Sequence, residues 1–230
     1  MKHKSLTALA AVLVFTSCAA GLRGEIKSDG SAALDFSSSL LPSIGRLIRQ
    51  AQGINTSGTV ILNAAEINNS FEKAPGVKSV KFQTSQSDTL EGPIVIEKID
   101  AFLEGTKAKF INWKSSPAGG SFEVVLNREN GALILSQISP DVTDYISTLM
   151  APIATGEILT KKEYLSLLTD VYGKKMADEI TAAFFNVSLI FPSTVRRVTG
   201  GKSQGRTASF SVPLCDMLVL EKPLVLKVEW

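Results

Sequence analysis

Residues 23–51 read RGEIKSDGSAALDFSSSLLPSIGRLIRQA. Residues 23–28 and 31–37 flank Asp29-Gly30, a dipeptide that favours the positive backbone angles of a tight hairpin turn. Beyond the turn, Leu40, Leu41, Ile44, Leu47, Ile48 and Ala51 recur at helical spacing, with Arg46, Arg49 and Gln50 off that face. This predicts an amphipathic helix ending before Gly53. A local hairpin followed by a helix implies antiparallel strands with helices laid on them. The expected fold class is therefore α+β, a mainly antiparallel sheet carrying several amphipathic helices.

The rest of the chain extends that pattern. Residues 58–73 carry a weaker helical period, broken by Pro75-Gly76, and 77–84 alternate as a strand. The run 94–103 reads equally as strand or helix. Strands are expected at 110–113 and 121–126, and Asn130-Gly131 predicts a second hairpin into 132–138. Helices follow at 141–153 and from the Thr160/Glu163 capping box through Tyr172. Gly173 punctuates them, and a further helix runs over 174–185. Strands close the chain at 186–191, 195–199, 207–212 and 224–230. No internal repeat or composition break forces a second domain, so 23–230 reads as one α+β domain.

Of the 230 residues, 44% are hydrophobic and 20% are charged, a globular balance with enough apolar content for a sizeable core. With 24 basic against 22 acidic residues, the chain lacks the basic excess of a nucleic-acid surface. Its single histidine is His3. If the leader is removed, no imidazole remains, which excludes His general bases, Ser-His-Asp and Cys-His sites, and nearly all catalytic zinc or iron centres.

Residues 1–20, MKHKSLTALAAVLVFTSCAA, place Lys2 and Lys4 before an apolar run from Leu6 to Phe15, followed at once by small residues. The run is about half the ~20 residues that a membrane-spanning helix needs, which marks a secretory signal. Phe15-Thr16-Ser17-Cys18 resembles the lipobox of bacterial lipoproteins. The resemblance implies cleavage between Ser17 and Cys18, and a diacylglyceryl group on the Cys18 sulfur. The chain would then divide into a signal peptide (1–17), a short lipid-anchored tether (18–22) and the domain (23–230). A cut after Ala19 or Ala20, discarding Cys18, is the competing reading. Two or three acyl chains bind a bilayer far more firmly than one, and the short tether would hold the domain close against it. Cys215 has no partner for a disulfide within the lipoprotein form and is expected to pack as a small apolar side chain. Without Lys2 and Lys4, the domain holds 22 basic and 22 acidic residues.

Motifs that suggest chemistry are each matched by a simpler reading. Gly201-Lys202-Ser203 echoes a phosphate loop but lacks its first glycine and a following helix, so a polar hairpin loop is expected. Ser70-Phe71-Glu72-Lys73 matches the Ser-x-x-Lys of penicillin-binding enzymes without the companion Lys-Thr-Gly. Asp141 with Asp144, or Asp170 with Glu179, offer acid/base or calcium pairs without calcium-loop spacing. Trp113 and Trp230 invite a ligand cage or a place in the core. The 40–51 helix suits a membrane surface, the cap of a lipid-filled cavity, or packing on a sheet.

Two further stretches carry resemblances. Residues 139–183, from SPDVTDYISTLM through KKMADEITAA, resemble conserved lipoproteins of treponemes and related spirochaetes. The close, from NVSLIFPSTVRRVTGG to LVLKVEW, is similar in layout to the mycobacterial exported lipoprotein domain associated with phosphatidylinositol mannosides. Phe191, Pro192, Gly200, Gly201 and Trp230 occupy the corresponding places. These resemblances imply lipid binding and bring no catalytic motif. The expected function is a non-catalytic binding or scaffold module in the cell envelope, on the periplasmic face or the cell surface. It would be anchored through Cys18, with a lipid or amphipathic ligand and no cofactor, metal or nucleic acid. The alternatives are an envelope interaction protein without a small ligand and a carboxylate-based hydrolase.

Overall fold

A computed structural model describes residues 17–51, 53, 61–86, 88–106, 110–116, 118–135 and 149–230. The leader through Thr16, the pair Asp141 and Asp144, and most of the helix expected from residue 141 lie outside the described residues.

Strands β1 (Ser17–Ile26) and β2 (Ala32–Leu40) form the hairpin predicted around Asp29-Gly30. Gly30 takes the left-handed backbone angle of 79°, and Asp29 Oδ1 accepts bonds from the Ser31 N–H (2.9 Å) and hydroxyl (2.7 Å). The side chain thus replaces backbone partners that the turn leaves open. Residues 18–22 belong to β1, paired with β2 and with a strand from residue 184 onward, so the expected tether is part of the sheet. Alternation there is masked by Ala19, Ala20 and Gly21, which carry no polarity contrast.

Helix α1 (Pro42–Ala51) follows directly. Leu41, Ile44 and Ile48 are buried, so its apolar stripe is spent on the core, and Arg49 pairs with Asp88. The membrane-surface and cavity-cap readings of this helix give way to packing. Next come α2 (Ala64–Glu72), β3 (Val77–Val80), β4 (Gln83–Gln86) and β5 (Thr89–Ile96). The single strand expected over 77–84 is divided because Phe82 is pinned by the Asn68 side chain, its N–H and C=O both bonded at 2.8 Å. The ambiguous 94–103 run is both structures in turn. β5 ends at Ile96, and α3 (Ile99–Thr106) begins once the Glu97 and Lys98 N–H groups have bonded to Gly76 O.

After the hairpin β6 (Ile111–Ser116) and β7 (Gly119–Leu126), the predicted second hairpin is replaced by α4 (Arg128–Leu135). Asn127 Oδ1 accepts from the Asn130 N–H (2.9 Å), and Asn130 Oδ1 accepts from the Asn127 N–H (2.8 Å). This reciprocal box satisfies two helix-start donors and outcompetes the Asn-Gly turn. Then follow α5 (Pro152–Thr155), α6 (Lys161–Tyr172) and α7 (Lys174–Ala182). The Thr160/Glu163 box is present as predicted, and the hydrogen bonds from Thr160 hold the Glu163 carboxyl below its ordinary value. The end is β8 (Phe184–Ile190), β9 (Arg197–Thr199), β10 (Lys202–Gln204), β11 (Thr207–Pro213), α8 (Leu214–Val219) and β12 (Leu224–Glu229). Helix α8 was not predicted. Five of its six side chains are buried, and a six-residue run that is apolar everywhere but Asp216 is too short to show a period.

The strands form two sheets. The larger has the order β10-β11-β8-β1-β2-β5-β3, with β4 also on β5, and only β1 and β8 run parallel. The smaller is antiparallel throughout, β6-β7-β12-β9. The α+β class and the mainly antiparallel pairing are as expected. Ile44 and Ile48 of the first helix, Tyr164 and Leu168 of α6, Ile180 of α7 and nearly all of α8 share one core with Val187, Leu189, Phe210 and Val212 of the large sheet.

Where the sheets meet, Trp230 stacks on Phe191 (centroids 4.8 Å apart) and on Trp113 (5.2 Å). Gly120 exchanges backbone bonds with Trp230 at 3.0 and 3.1 Å, and a Cβ on Gly120 would lie 2.3 Å from the indole Cζ2. Replacement Gly120→Ala is therefore expected to lower stability by about 2 kcal/mol through overpacking. Asn127→Ala is expected to lose about 1 kcal/mol with its cap. Urea unfolding of both variants checks these values, and unchanged midpoints would contradict the close fit.

Candidate functional site

The two sheets differ in how their apolar sides are filled. In β8, Val187 and Leu189 are buried while Asn186 and Ile190 face outward, the clean alternation of a sheet closed on one side. Strand β7 is half-buried at every position, and β12 is nearly so.

Register defines the two sides of the small sheet. Trp113, Phe122, Val228 and Val198 form one row, and Ile111, Val124 and Leu226 the next on the same side, with Leu126 opposite Leu224 beyond them. Val228 and Trp230 are buried at the Phe191 corner. Trp113, Phe122, Leu126, Leu224 and Leu226 are only half-buried, although they touch the main core. Ile111 and Val124 are half-buried and lie off it. This apolar side holds no titratable group. It offers dispersion contacts and displaced water, and nothing that moves a proton.

The opposite side neutralises its own charges. Lys227 Nζ lies 2.8 Å from Glu229 Oε1, Arg197 bridges Glu229 at 3.9 Å, and Asn112 donates to Glu123 at 3.2 Å. The Lys227–Glu229 hydrogen bond raises the lysine and lowers the carboxyl from their ordinary values. One side of the sheet thus carries the charged groups, and the other is apolar and half-buried.

A depression of about 250 Å³ lies at the far end of β1, lined by Glu25, Lys27, Ser28, Asp29, Pro192 and Arg206. Its charged groups already have partners: Glu25 pairs with Arg206 at 2.8 Å, and the Ser31 bonds keep Asp29 below its ordinary range.

The residues singled out from the sequence fall as follows. Ser17 and Cys18 open β1, where the register slips between Ser17 and Ala19, and Ala19 lies opposite Phe184 of β8. Trp113 and Trp230 do come together, as a stack that Phe191 of the large sheet extends and not as an open cage. Glu179 accepts from the Ser43 N–H (2.9 Å) at the start of α1, while Asp170 is exposed near the end of α6. Ser70 donates to Glu66 O, one turn back in its helix, and Lys73 is the C-cap. Gly201 leads into strand β10, which forms the expected polar hairpin with β11. Among the described residues, no group of three or more His, Cys, Asp or Glu is placed to hold a metal ion. No helix among them is long and apolar enough to cross a membrane.

The apolar side was legible as two strands, 121–126 and 224–230. Which of their faces packs toward the main core depends on the path of the whole chain, and no local signal carries it.

No family model matches the chain, and no curated protein matches its sequence. Among solved structures, it is similar to the NMR structure of the folded domain of the LppM protein of Mycobacterium tuberculosis. The TM-score is 0.41 at 9% sequence identity, over 92% of this chain and 87% of that domain. The lipobox and spirochaete resemblances gain no support from these comparisons.

Cys215 packs as expected, with 6% of its surface exposed, and burial pushes its thiol from 9.0 up to about 11. The folded state therefore holds this proton more tightly than the unfolded chain, so stability falls as pH rises from 9 toward 11. In a Cys18→Ala background, maleimide labelling at pH 8 is expected to run about a hundredfold slower in the native state than in urea. Equal rates would place the thiol in solvent.

Proposed function

We propose that the chain is a cell-envelope lipoprotein whose single extracytoplasmic α+β domain is held to a bacterial membrane through an acylated Cys18. The domain is a non-catalytic module that binds a lipid or amphipathic ligand. The observation that carries the ligand part is the half-buried apolar side of the small sheet, centred on Ile111, Val124 and Leu226. About 25 cal/mol per Å² of apolar surface removed from water favours an occupant there, and the side chains have no hydrogen-bonding demand to leave unmet. The absence of histidine after residue 3 supports the non-catalytic reading, as does the engagement of Glu179 and Ser70 in helix bonding.

A second reading, an interaction protein without a small ligand, draws on the outer face of the large sheet. Asp35, Ser37, Asn186, Ser209 and Ser211 are exposed there as a flat polar surface. It has the polarity of ordinary solvated sheet, and the apolar side of the small sheet is the more unusual feature.

Protein purified from its host membrane is expected to begin at Cys18 with added acyl mass, and Cys18→Ala to be released or left unprocessed. A soluble chain beginning at Gly21 would overturn the anchor. Saturable binding of a fluorescent fatty acid is expected to weaken about tenfold or more in Val124→Asp, which sets a charge against the acyl chain. Glu123→Gln, on the ion-paired side, leaves it unchanged. Absence of saturable binding to the wild type would remove the ligand part.

A further inference from the structure

A sheet is open to further pairing at its edge strands, where a row of N–H and C=O groups has no ladder partner. Most edges among the described residues are short or irregular. In the large sheet, β10 has three residues, and β3 and β4 have four each with register slips against β5. In the small sheet, β9 has three. Strand β6 differs. It has six residues and pairs only with β7, in unbroken register from Ile111 opposite Val124 to Ser116 opposite Gly119. It holds no proline, and Asn112, Lys114, Ser115 and Ser116 are exposed.

The ladder fixes which of its backbone groups are open. Phe110 O accepts from the Val125 N–H, and Gly120, opposite Ser115, exchanges its bonds with Trp230 instead. Bonded and non-bonded pairs alternate along an antiparallel ladder. Asn112, Lys114 and Ser116 therefore bond to β7, and the N–H and C=O groups of Ile111, Trp113 and Ser115 point out of the sheet.

We propose that this edge pairs with the β6 of a second copy, antiparallel about a two-fold axis at Trp113. Trp113 then lies opposite Trp113 of the second copy and Ile111 opposite its Ser115, which closes every open group on both strands. On the polar side, Lys114 of one copy faces Asn112 of the other, whose neighbour on β7 is Glu123. Glu123 has the Asn112 amide at 3.2 Å, and a long lysine reaching past the short asparagine adds a cation to it. Charge also selects the register. Sliding one strand by two residues sets Lys114 against itself, and sliding it the other way leaves Ser115 unpaired. The strand is thus complementary to itself, which favours a second copy over an unrelated peptide. On the other side, the half-buried Trp113 gains cover, and tryptophan is a frequent interface anchor. The pairing needs neither the Cys18 anchor nor a ligand.

The test uses the full chain carrying Cys18→Ala, which leaves the buried Cys215 as its native thiol. One preparation adds Asn112→Cys and another adds Lys114→Cys. In the paired copies these two positions are a non-bonded pair with Cα atoms about 4.5 Å apart, within disulfide reach. Like positions are diagonal neighbours about 7–8 Å apart, beyond it. Mild oxidation of the mixture is expected to give about tenfold more linked dimer than either preparation alone. Ser115→Pro in both chains removes only an outward N–H, a place where edge strands accept proline. It is expected to bring the mixture down to the level of the single preparations, with circular dichroism unchanged. Linking that is equal in all three samples, or that survives Ser115→Pro, would mean that the copies meet elsewhere and would overturn the pairing. No linking in the mixture would also overturn it and leave the edge to an extended segment of another protein.

Discussion

The structure turns on one packed contact, the stack of Phe191, Trp230 and Trp113. Phe191 follows the last residue of β8 in the large sheet, Trp230 follows β12 in the small one, and Trp113 lies within β6. Phe191 and Trp230 are buried to 0% and 2% exposure. Rings of this size contribute large buried area plus about 0.5–1.5 kcal/mol per aromatic pair beyond it. The backbone around the stack has no slack. Gly120 admits the indole only because it lacks a Cβ, and Arg196 ties the carbonyls of Ala118 and Trp230 together at 3.0 Å each. Chain segments more than a hundred residues apart are thereby held at one corner, and both sheets take their relative position from it.

That corner explains why the two sheets end up so different. The large sheet is closed by α6, α7 and α8, whose buried side chains interlock with β8 and β11. The small sheet is held at its Trp230 corner and along β12, and contact with the main core fades toward Ile111 and Val124. Close packing elsewhere makes the large sheet a rigid support, since interiors at crystal-like density resist deformation.

Much of this architecture was legible because it is written locally. Asp29-Gly30 sets its hairpin through a backbone angle and an Asx bond, and Thr160 with Glu163 starts a helix through a reciprocal box. Where local signals competed, the reading failed for a definable reason. Asn130-Gly131 has the composition of a turn, but Asn127 three residues earlier offers the partner that makes Asn130 a helix start. Residues 18–22 carry too little polarity contrast to mark a strand, and they become one because β2 and β8 flank them. The half-buried apolar side of the small sheet was the least legible feature. Alternation gives each strand two faces, and only the tertiary path decides how fully each is packed.

The placement of Cys18 within β1 changes what an acyl anchor would do here. A cysteine at the tip of a flexible leader lets a domain swing through every orientation that the leader's length permits. Residue 18 would not have that freedom, because the strand beside it is fixed from Ala19 onward by ladders to β2 on one side and β8 on the other. Acyl chains on such a residue would transmit the plane of the bilayer directly to the sheet. The register slip between Ser17 and Ala19 lies at this point, and irregularities of that kind bend a strand and redirect its side chains.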